Sequence, residues 1–247
     1  MGHFKDHFSD VAANYQKYRP NYPLKLFEFL ASLNESRNLA WDCATGSGQA
    51  ACELAKFYRE VIATDASEKQ IQNVIPNPSV KYYVASAEDS KIQTSSVDLV
   101  TVAQALHWFN LDEFYREVKR VLNKNGHIAV WSYELHRIEP EIDKLVEHFY
   151  HQVIGPYWPS ERKWVELGVE SLPFPFEKMA SPQFYMEVSW DLDELFGYFS
   201  TWSATVRYIQ DKKHDPLPAL RKQSIGIWGD PTVKKNVRWP LSLQVGR

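Results

Sequence analysis

A short apolar segment that runs directly into two closely spaced glycines constrains the fold of this chain more than any other feature. Residues 39–43 read as a β-strand, Gly46 and Gly48 follow, and residues 49–58 show the apolar spacing of a helix. Glycines at such a bend let the backbone approach a ligand closely, and the free N–H groups of the following helix favour polar or anionic groups. The segment therefore predicts the loop of a cofactor-binding βαβ unit.

Short apolar strands and amphipathic helices continue to alternate through residues 39–133. Asn110 stands where it can cap the last helix of this region, and the run at 97–103 is apolar except for Asp98 and Thr101, as expected of a strand buried on both faces. The pattern predicts an α/β domain with a parallel sheet. Beyond the first strand, we expect strands at 61–64, 80–85, 97–103 and 127–133, helices near 68–74 and 111–122, and a turn at 123–126.

The parallel-sheet pattern is lost in the second half, where proline and aromatic residues concentrate between residues 155 and 176. The nine tryptophans are more than a core of this size needs, so we expect some of them to line a pocket or lid. Strands are still expected at 184–188 and 237–245, and helices near 138–153, 192–209 and 217–227.

Composition and charge argue against several classes of protein. The formal net charge of -3 gives no broad basic field for nucleic-acid phosphates. The N-terminal residues lack a secretory pattern and no apolar run predicts a membrane span, so we expect a cytoplasmic protein. Cys43 and Cys52 lie in one strand-and-helix stretch and predict free thiols. Glu147, His148 and His151 lack a matching further ligand, so no metal site is predicted.

Two carboxylates bear on which cofactor the glycine loop binds. The residues from Gly46 to Ala51 also satisfy the G-x-G-x-x-A pattern, so the glycines alone leave a nicotinamide-dependent oxidoreductase open. Asp42 suits a ligand with an ammonium group, whereas a pyrophosphate beside it would meet like charge. Asp65 ends the second strand, where a carboxylate can accept hydrogen bonds from both ribose hydroxyls. S-adenosylmethionine meets both demands.

Five motifs between residues 8 and 109 extend this interpretation: FSDVAANY at 8–15, YRPNYP at 18–23, DCATGSG at 42–48, Ala87-Glu88, and LHWF at 106–109. Together they resemble class I S-adenosylmethionine-dependent methyltransferases of the type 11 group. Within that group, the trans-aconitate and cantharidin methyltransferase-like branch is the most similar. The family's usual first loop glycine is Ala44 here, which adds a methyl group at a crowded bend.

The resemblance implies roles for particular residues. Those near the glycine loop would hold the methionine moiety of S-adenosylmethionine, others would bind its ribose and flank its adenine, and an N-terminal segment would close over the site. The methionine moiety would be held by Asp42, Ala44, Gly46 and Gly48, and the ribose would be bound by Asp65. The adenine would be flanked by Ala87 and Glu88, and Gln104 would lie near the cofactor. The N-terminal segment contains Tyr15, Tyr18 and Arg19. S-adenosylhomocysteine would be the product.

The resemblance also implies an architecture. The fold would be a Rossmann-like α/β fold with a seven-stranded, mostly parallel sheet, helices on both faces, and an antiparallel last strand at 237–245 beside 184–188. Residues 1–247 would then form a single methyltransferase domain. Its parts would be an N-terminal cap segment at 1–38, a cofactor-binding core at 39–135, and helical and aromatic insertions at 154–235 that form a substrate lid.

The methyl acceptor is expected to be a small molecule, and the resemblance favours one with a carboxylate. Candidate acceptor-binding residues are His107, Trp108, Trp158 and Trp202, and His107 is the candidate base if the acceptor is a neutral hydroxyl. Methyl transfer from a sulfonium needs alignment and exclusion of water rather than a catalytic triad. A cofactor-binding regulatory protein without catalysis therefore remains an alternative. We expect a monomer or homodimer without nucleic-acid or membrane partners.

Overall fold

A computed structural model describes Tyr18 and residues 20–160 and 162–247. Within these residues, eight strands form one sheet. The strands are β1 (Leu39–Cys43), β2 (Glu60–Asp65), β3 (Val80–Val84), β4 (Val97–Ala103), β5 (Leu122–Tyr133), β6 (Lys178–Met179), β7 (Phe184–Trp190) and β8 (Lys235–Gly246).

The order of the strands confirms the mostly parallel, Rossmann-like sheet. Across the sheet it is β3-β2-β1-β4-β5-β8-β6, and β7 also pairs with β8. Strands β1 to β5 pair in parallel, whereas β8 runs antiparallel to β5 and β6. The last strand is thus inserted beside β5 and β7, as expected. The sheet has eight strands where seven are predicted, because the two-residue strand β6 is too short to leave a periodic signal in the sequence.

Strand β5 begins earlier than the sequence predicts. The expected turn at 123–126 lies inside the strand, which starts at Leu122. The pairing of β5 with β4 shifts its register between Val97 and Leu99, and the side chain of Asn123 accepts a backbone N–H two residues further on at 3.0 Å. The turn-forming residues therefore produce an irregularity within β5 rather than its boundary.

Most helices lie at predicted positions and several of them end sooner, whereas the helices at 24–32 and 162–166 were not predicted. The helices are α1 (Leu24–Ser32), α2 (Gln49–Leu54), α3 (Glu68–Gln72), α4 (Leu111–Val121), α5 (Pro140–His148), α6 (Arg162–Glu166), α7 (Leu192–Ser200), α8 (Ser203–Lys212) and α9 (Leu217–Trp228). A π-helical turn at Phe149–Val153 follows α5. The single helix expected at 192–209 is two helices, α7 and α8. Asn110 stands at the N-cap of α4, but its side chain makes no capping hydrogen bond.

Helices cover both faces of the sheet, as predicted. On one face, α4 buries Phe114 against a cluster that includes Trp41 of β1 and Ile128 of β5. On the opposite face, Trp131 of β5 lies 6.3 Å, between ring centroids, from Phe27 of α1. Because successive strand residues point to opposite faces, β1 and β5 contribute to both layers and are buried on both sides.

Residue contacts divide the chain into two compact units. The sheet unit comprises Tyr22–Glu134, Lys163–Tyr185 and Pro240–Arg247, and includes β1 to β6. The helical unit comprises the described residues before Tyr22, together with Leu135–Arg162 and Met186–Trp239, and includes α5, α7, α8 and α9. In the part of the chain that the structure describes, no helix has the length and apolarity that a membrane crossing requires.

An aromatic cluster around His136 forms much of the core of the helical unit. The ring of His136 lies 5.5 to 6.3 Å, between centroids, from the rings of Tyr198, Phe199, Trp202 and Trp239. Both of its ring nitrogens are buried without a hydrogen-bond partner in the described structure. Burial lowers the pKa of His136 to about 3, and the charge of Arg137 adds to this effect. His136 therefore packs as a neutral ring whose polar atoms reduce stability.

Candidate functional site

The carboxyl ends of β1, β2 and β4 meet at one edge of the sheet unit, where the strand order reverses. From β1 the chain proceeds to β2 and β3 on one side, then crosses to β4 on the other side of β1. Open α/β sheets bind ligands at such a switch point. Asp42 lies in β1, Asp65 ends β2 and Gln104 directly follows β4. The fold thus brings these three predicted residues to one edge.

Asp42 is a buried carboxylate whose hydrogen-bond donors are neutral. Its Oδ2 accepts a hydrogen bond from Thr45 Oγ1 at 2.6 Å, and its Oδ1 accepts one from Thr101 Oγ1 at 2.8 Å. Burial raises the pKa of Asp42 from 3.8 to about 6, and the negative charge of Asp65 adds to the increase. A buried anion is costly unless a positive group approaches it. The site therefore favours a cationic ligand.

Three residues of the loop after β1 adopt left-handed backbone conformations. The φ angles are +55° at Ala44, +55° at Gly46 and +84° at Gly48. A Cβ atom at Gly48 would lie 2.9 Å from Tyr82 Oη, so a side chain there would have to displace the tyrosine ring. A Cβ atom at Gly46 would meet no atom within 4 Å. The loop therefore has one glycine packed against the protein and one that borders open space.

Replacing Ala44 by glycine is expected to stabilise the protein by about 0.5–1 kcal/mol, because left-handed strain at alanine outweighs the extra entropy of an unfolded glycine. Urea unfolding measures the change. The matched control Ala50→Gly alters the same side chain inside α2 and should destabilise by about 1 kcal/mol. A loss of stability in the Ala44→Gly variant would contradict the assigned strain.

Asp65 ties the glycine loop to the end of β2. Its Oδ2 accepts the backbone N–H of Gly46 at 2.9 Å, and its Oδ1 accepts that of Ser67 at 2.9 Å. The residue is buried. Asp65 therefore fixes the loop and the start of α3 relative to the strand, at the position where the sequence predicts ribose binding.

Gln104 combines a strained backbone with an unpaired polar group. Its φ angle is +60°, which is uncommon for a residue other than glycine. Its backbone N–H donates to the carbonyl of Trp131 at 2.8 Å, but its side-chain Nε2 is buried without a hydrogen-bond partner in the described structure. Strain and unsatisfied donors concentrate at binding sites. An acceptor atom on a ligand would satisfy this donor.

The remaining predicted residues of the sheet unit have clear positions but fewer distinguishing features. Ala87 is buried, and Glu88 Oε1 accepts the backbone N–H of Asn110 at 3.1 Å. His107 and Trp108 lie in a short 3-10 turn, with their ring centroids 4.9 Å apart, and Trp108 is exposed. Within the described residues, no group of three or more His, Cys, Asp or Glu side chains is arranged to hold a metal ion.

Other predicted residues belong to the helical unit or lie outside the described residues. Tyr15 and Arg19 are outside them. The ring of Tyr18 packs directly on α7. Trp158 and Trp202 contact each other with ring centroids 5.8 Å apart, and Trp202 is buried whereas Trp158 is half-buried. The two tryptophans therefore belong to one aromatic cluster.

Sequence reasoning missed two residues that hold Asp42, namely Thr45 and Thr101. The signal for Thr101 was present, because it is one of two polar residues that interrupt the apolar run of β4. The other is Asp98, whose carboxylate accepts the backbone N–H groups of Asn38 and Leu39 at 2.7 and 2.9 Å. A polar residue inside a fully buried strand must find a partner, and here Thr101 and Asp98 both find one in or next to β1.

Comparisons with known proteins agree with this geometry. Residues 41–130 match the family model described as a methyltransferase domain. A Dictyostelium discoideum protein that is named as a methyltransferase is 36% identical over 223 residues, which cover 89% of this chain and 85% of that protein. A Saccharomyces cerevisiae protein named as an S-adenosylmethionine-dependent methyltransferase is 32% identical over 139 residues, 53% of this chain and 46% of that protein.

A solved structure extends the match to nearly the whole chain. The structure of a type II methyltransferase from Anaeromyxobacter dehalogenans aligns with a TM-score of 0.89 at 40% identity, and the alignment covers 93% of this chain and 98% of that one. The family match at residues 41–130 includes the glycine loop, Asp65 and Gln104. The chain therefore belongs to the class I S-adenosylmethionine-dependent methyltransferases, and its cofactor is S-adenosylmethionine.

Proposed function

We propose that the protein transfers a methyl group from S-adenosylmethionine to a small organic acceptor that carries a carboxylate. The carboxylate of the acceptor follows from the resemblance to the trans-aconitate and cantharidin methyltransferase-like branch. The binding of S-adenosylmethionine is supported by the buried carboxylate of Asp42, whose hydrogen-bond donors in the described structure are neutral. It lies on the strand that leads into the open loop at Gly46. The α-ammonium of the cofactor would supply the missing positive charge, whereas the pyrophosphate of a nicotinamide dinucleotide would add a second negative charge.

The positions of the described side chains support the following cofactor contacts. Asp42 would pair with the ammonium, the backbone at Ala44, Gly46 and Gly48 would line the methionine moiety, and the Nε2 of Gln104 would donate to a cofactor oxygen or nitrogen. Asp65 would accept hydrogen bonds from the ribose hydroxyls. We further propose that Ala87 and Glu88 flank the adenine and that Tyr15, Tyr18 and Arg19 close over the site.

Little covalent chemistry is required of the protein. Bound S-adenosylmethionine supplies an electrophilic methyl group and a neutral thioether leaving group. The chain's residues would align the acceptor with that methyl group and exclude water. A carboxylate acceptor already carries the attacking electron pair, so its methylation needs no base. His107 would accept a proton only from a neutral hydroxyl acceptor, with Trp108 beside it.

Gly46→Ala is expected to weaken S-adenosylmethionine binding at least about tenfold, because the added methyl group enters the open space beside the loop. The folded protein should lose only about 1–2 kcal/mol, from left-handed strain. Calorimetric titration and urea unfolding measure the two effects. Gly229→Ala is the control, since that glycine also has a positive φ and open space around its Cβ position, and its ψ of -126° makes alanine more strained there than in the left-handed region. The control should lose stability without losing affinity.

Methyl transfer itself is tested with radiolabelled S-adenosylmethionine and a panel of small organic acids. We expect label in a methyl ester, and much less of it with Gly46→Ala. Cofactor binding without transfer to any acid of the panel, or to any component of a metabolite extract, would contradict the proposed reaction. That result would instead favour a cofactor-binding regulatory protein.

Residues 1–247 would act as one methyltransferase, in which the aromatic residues of 154–235, Trp158 and Trp202 among them, contribute to acceptor binding. Cys43 and Cys52 are free thiols, and this supports a cytoplasmic location. The protein would act as a monomer or homodimer without nucleic-acid or membrane partners.

A further inference from the structure

Arg162 lies on an aromatic surface in the helical unit. The centre of its guanidinium group is 4.8 Å from the ring centroid of Trp158 and 5.7 Å from that of Tyr150. Its Nε donates a hydrogen bond to Tyr150 Oη at 2.6 Å. These contacts hold the planar cation in one orientation over the two rings. We refer to Arg162, Trp158 and Tyr150 as the arginine platform.

The charge of Arg162 has no carboxylate partner among the described residues. Three other arginines of the helical unit each pair with a carboxylate: Arg137 with Glu147, Arg221 with Asp193, and Arg238 with Glu187. Arg162 is also half-buried rather than fully hydrated. Since Nε is used by Tyr150, the Nη atoms remain as a pair of donors for an anion. A guanidinium held this way binds a carboxylate in a fixed geometry.

The rings beneath Arg162 are themselves held in place. Trp158 Nε1 donates to the carbonyl of Tyr150 at 3.4 Å, and both rings pack against the buried ring of Trp202, with centroids 5.8 and 5.5 Å away. Tyr150 is buried, whereas Trp158 keeps part of its surface accessible. The platform thus places the accessible part of the Trp158 ring next to a cation. A ligand with a planar apolar body and an attached carboxylate matches both features.

We propose that the arginine platform binds a ligand in which a carboxylate is attached to a planar apolar body, such as an aromatic ring or a conjugated chain. Every residue of the platform belongs to the helical unit, so this ligand can be titrated without S-adenosylmethionine, and its binding is independent of the proposed methyl transfer.

The test uses trans-cinnamate as the acid and cinnamamide as its neutral isostere, titrated into the full-length protein while tryptophan fluorescence is recorded. Cinnamate should quench the fluorescence and bind at least about tenfold more tightly than cinnamamide. Arg162→Gln should remove most of this preference. Arg162→Lys keeps the charge but loses the planar fork, so its affinity should be intermediate. The control Arg221→Gln removes an arginine that is paired with Asp193, and should bind cinnamate like the wild type.

Each outcome decides the inference. Equal affinity for the acid and the amide, absence of cinnamate binding, or unchanged cinnamate affinity in Arg162→Gln would overturn it. Circular dichroism of each variant shows whether it is folded, and Arg162→Lys supplies the test if Arg162→Gln is not. Cinnamate binding that depends on Arg162, in a protein that fails to bind S-adenosylmethionine, would support the platform and contradict the proposed function. Cofactor binding without cinnamate binding would do the reverse.

Discussion

Asp42→Asn is expected to stabilise the ligand-free protein by about 3 kcal/mol near pH 8, because the buried carboxylate has a pKa of about 6 against an ordinary value of 3.8. The folded state binds the proton more tightly than the unfolded state. Wild-type stability is therefore highest below about pH 4 and falls as the pH rises through 6, relative to a variant that cannot ionise. Urea unfolding of both proteins across this range measures the difference.

The matched control is Asp98→Asn, a second buried aspartate next to β1. Its carboxylate accepts hydrogen bonds from Asn38 N, Leu39 N and Asn123 Nδ2 at 2.7 to 2.9 Å. An asparagine there would turn an N–H group towards a donor, so this variant should lose about 2–3 kcal/mol. A stability gain for Asp42→Asn that is the same at every pH, or no gain at all, would contradict the account of Asp42 as an uncompensated anion.

The second large effect is expected at His136. Burial holds its pKa near 3 against an ordinary value of 6.5, so the folded state resists protonation. Above about pH 6.5 the ring is neutral in both the folded and the unfolded state, and the protein keeps its full free energy of unfolding. As the pH falls, the unfolded state takes up a proton that the folded state resists, and the free energy of unfolding decreases by about 3 kcal/mol at pH 4. His136→Phe keeps a ring in the aromatic cluster and removes this loss. It should also add about 1–2 kcal/mol at neutral pH, because two unpaired polar atoms disappear.

The unfolding free energies of His136→Phe and the wild type are measured at pH 4 and at pH 7. Taking the difference between the two proteins at each pH cancels the contributions of the other groups that titrate in acid. His148→Gln serves as control because it changes an exposed histidine on α5, and should alter stability by less than about 0.5 kcal/mol. Equal differences at the two pH values, or a destabilised His136→Phe, would show that His136 has a partner when the protein is in solution.

The parallel half of the fold could be predicted because each element has a distinct periodicity. Strand β1 and strand β4 have the predicted bounds, since fully buried strands are continuous apolar runs with polar residues just outside them. The short strand β6 and the division between α7 and α8 were missed. Strand β6 has only two residues, which is too few to show the alternating pattern of a strand. Thr201 and Trp202 separate α7 from α8, and they are not residues that ordinarily end a helix.

The candidate site was predictable where a residue's position along the chain determines its chemistry. Asp42, Asp65 and Gln104 follow from strand ends, which any parallel sheet brings to one edge. The left-handed backbone at Gln104 and the role of Thr101 were not predictable, because both depend on contacts between strands far apart in sequence. Arg162 gave no sequence signal either, since only the folded helical unit shows that its charge is unpaired among the described residues.

Calorimetric titration of wild type and Asp42→Asn with S-adenosylmethionine and NAD tests the central claim most directly. We predict that the wild type binds S-adenosylmethionine but not NAD near pH 7, and that Asp42→Asn binds it at least about tenfold more weakly although it is folded. Wild-type affinity should also fall about tenfold between pH 7 and pH 5, as Asp42 becomes neutral, whereas the variant should show no such change. Equal affinity of the two proteins across this range would contradict the assignment of Asp42 to the cofactor's ammonium group.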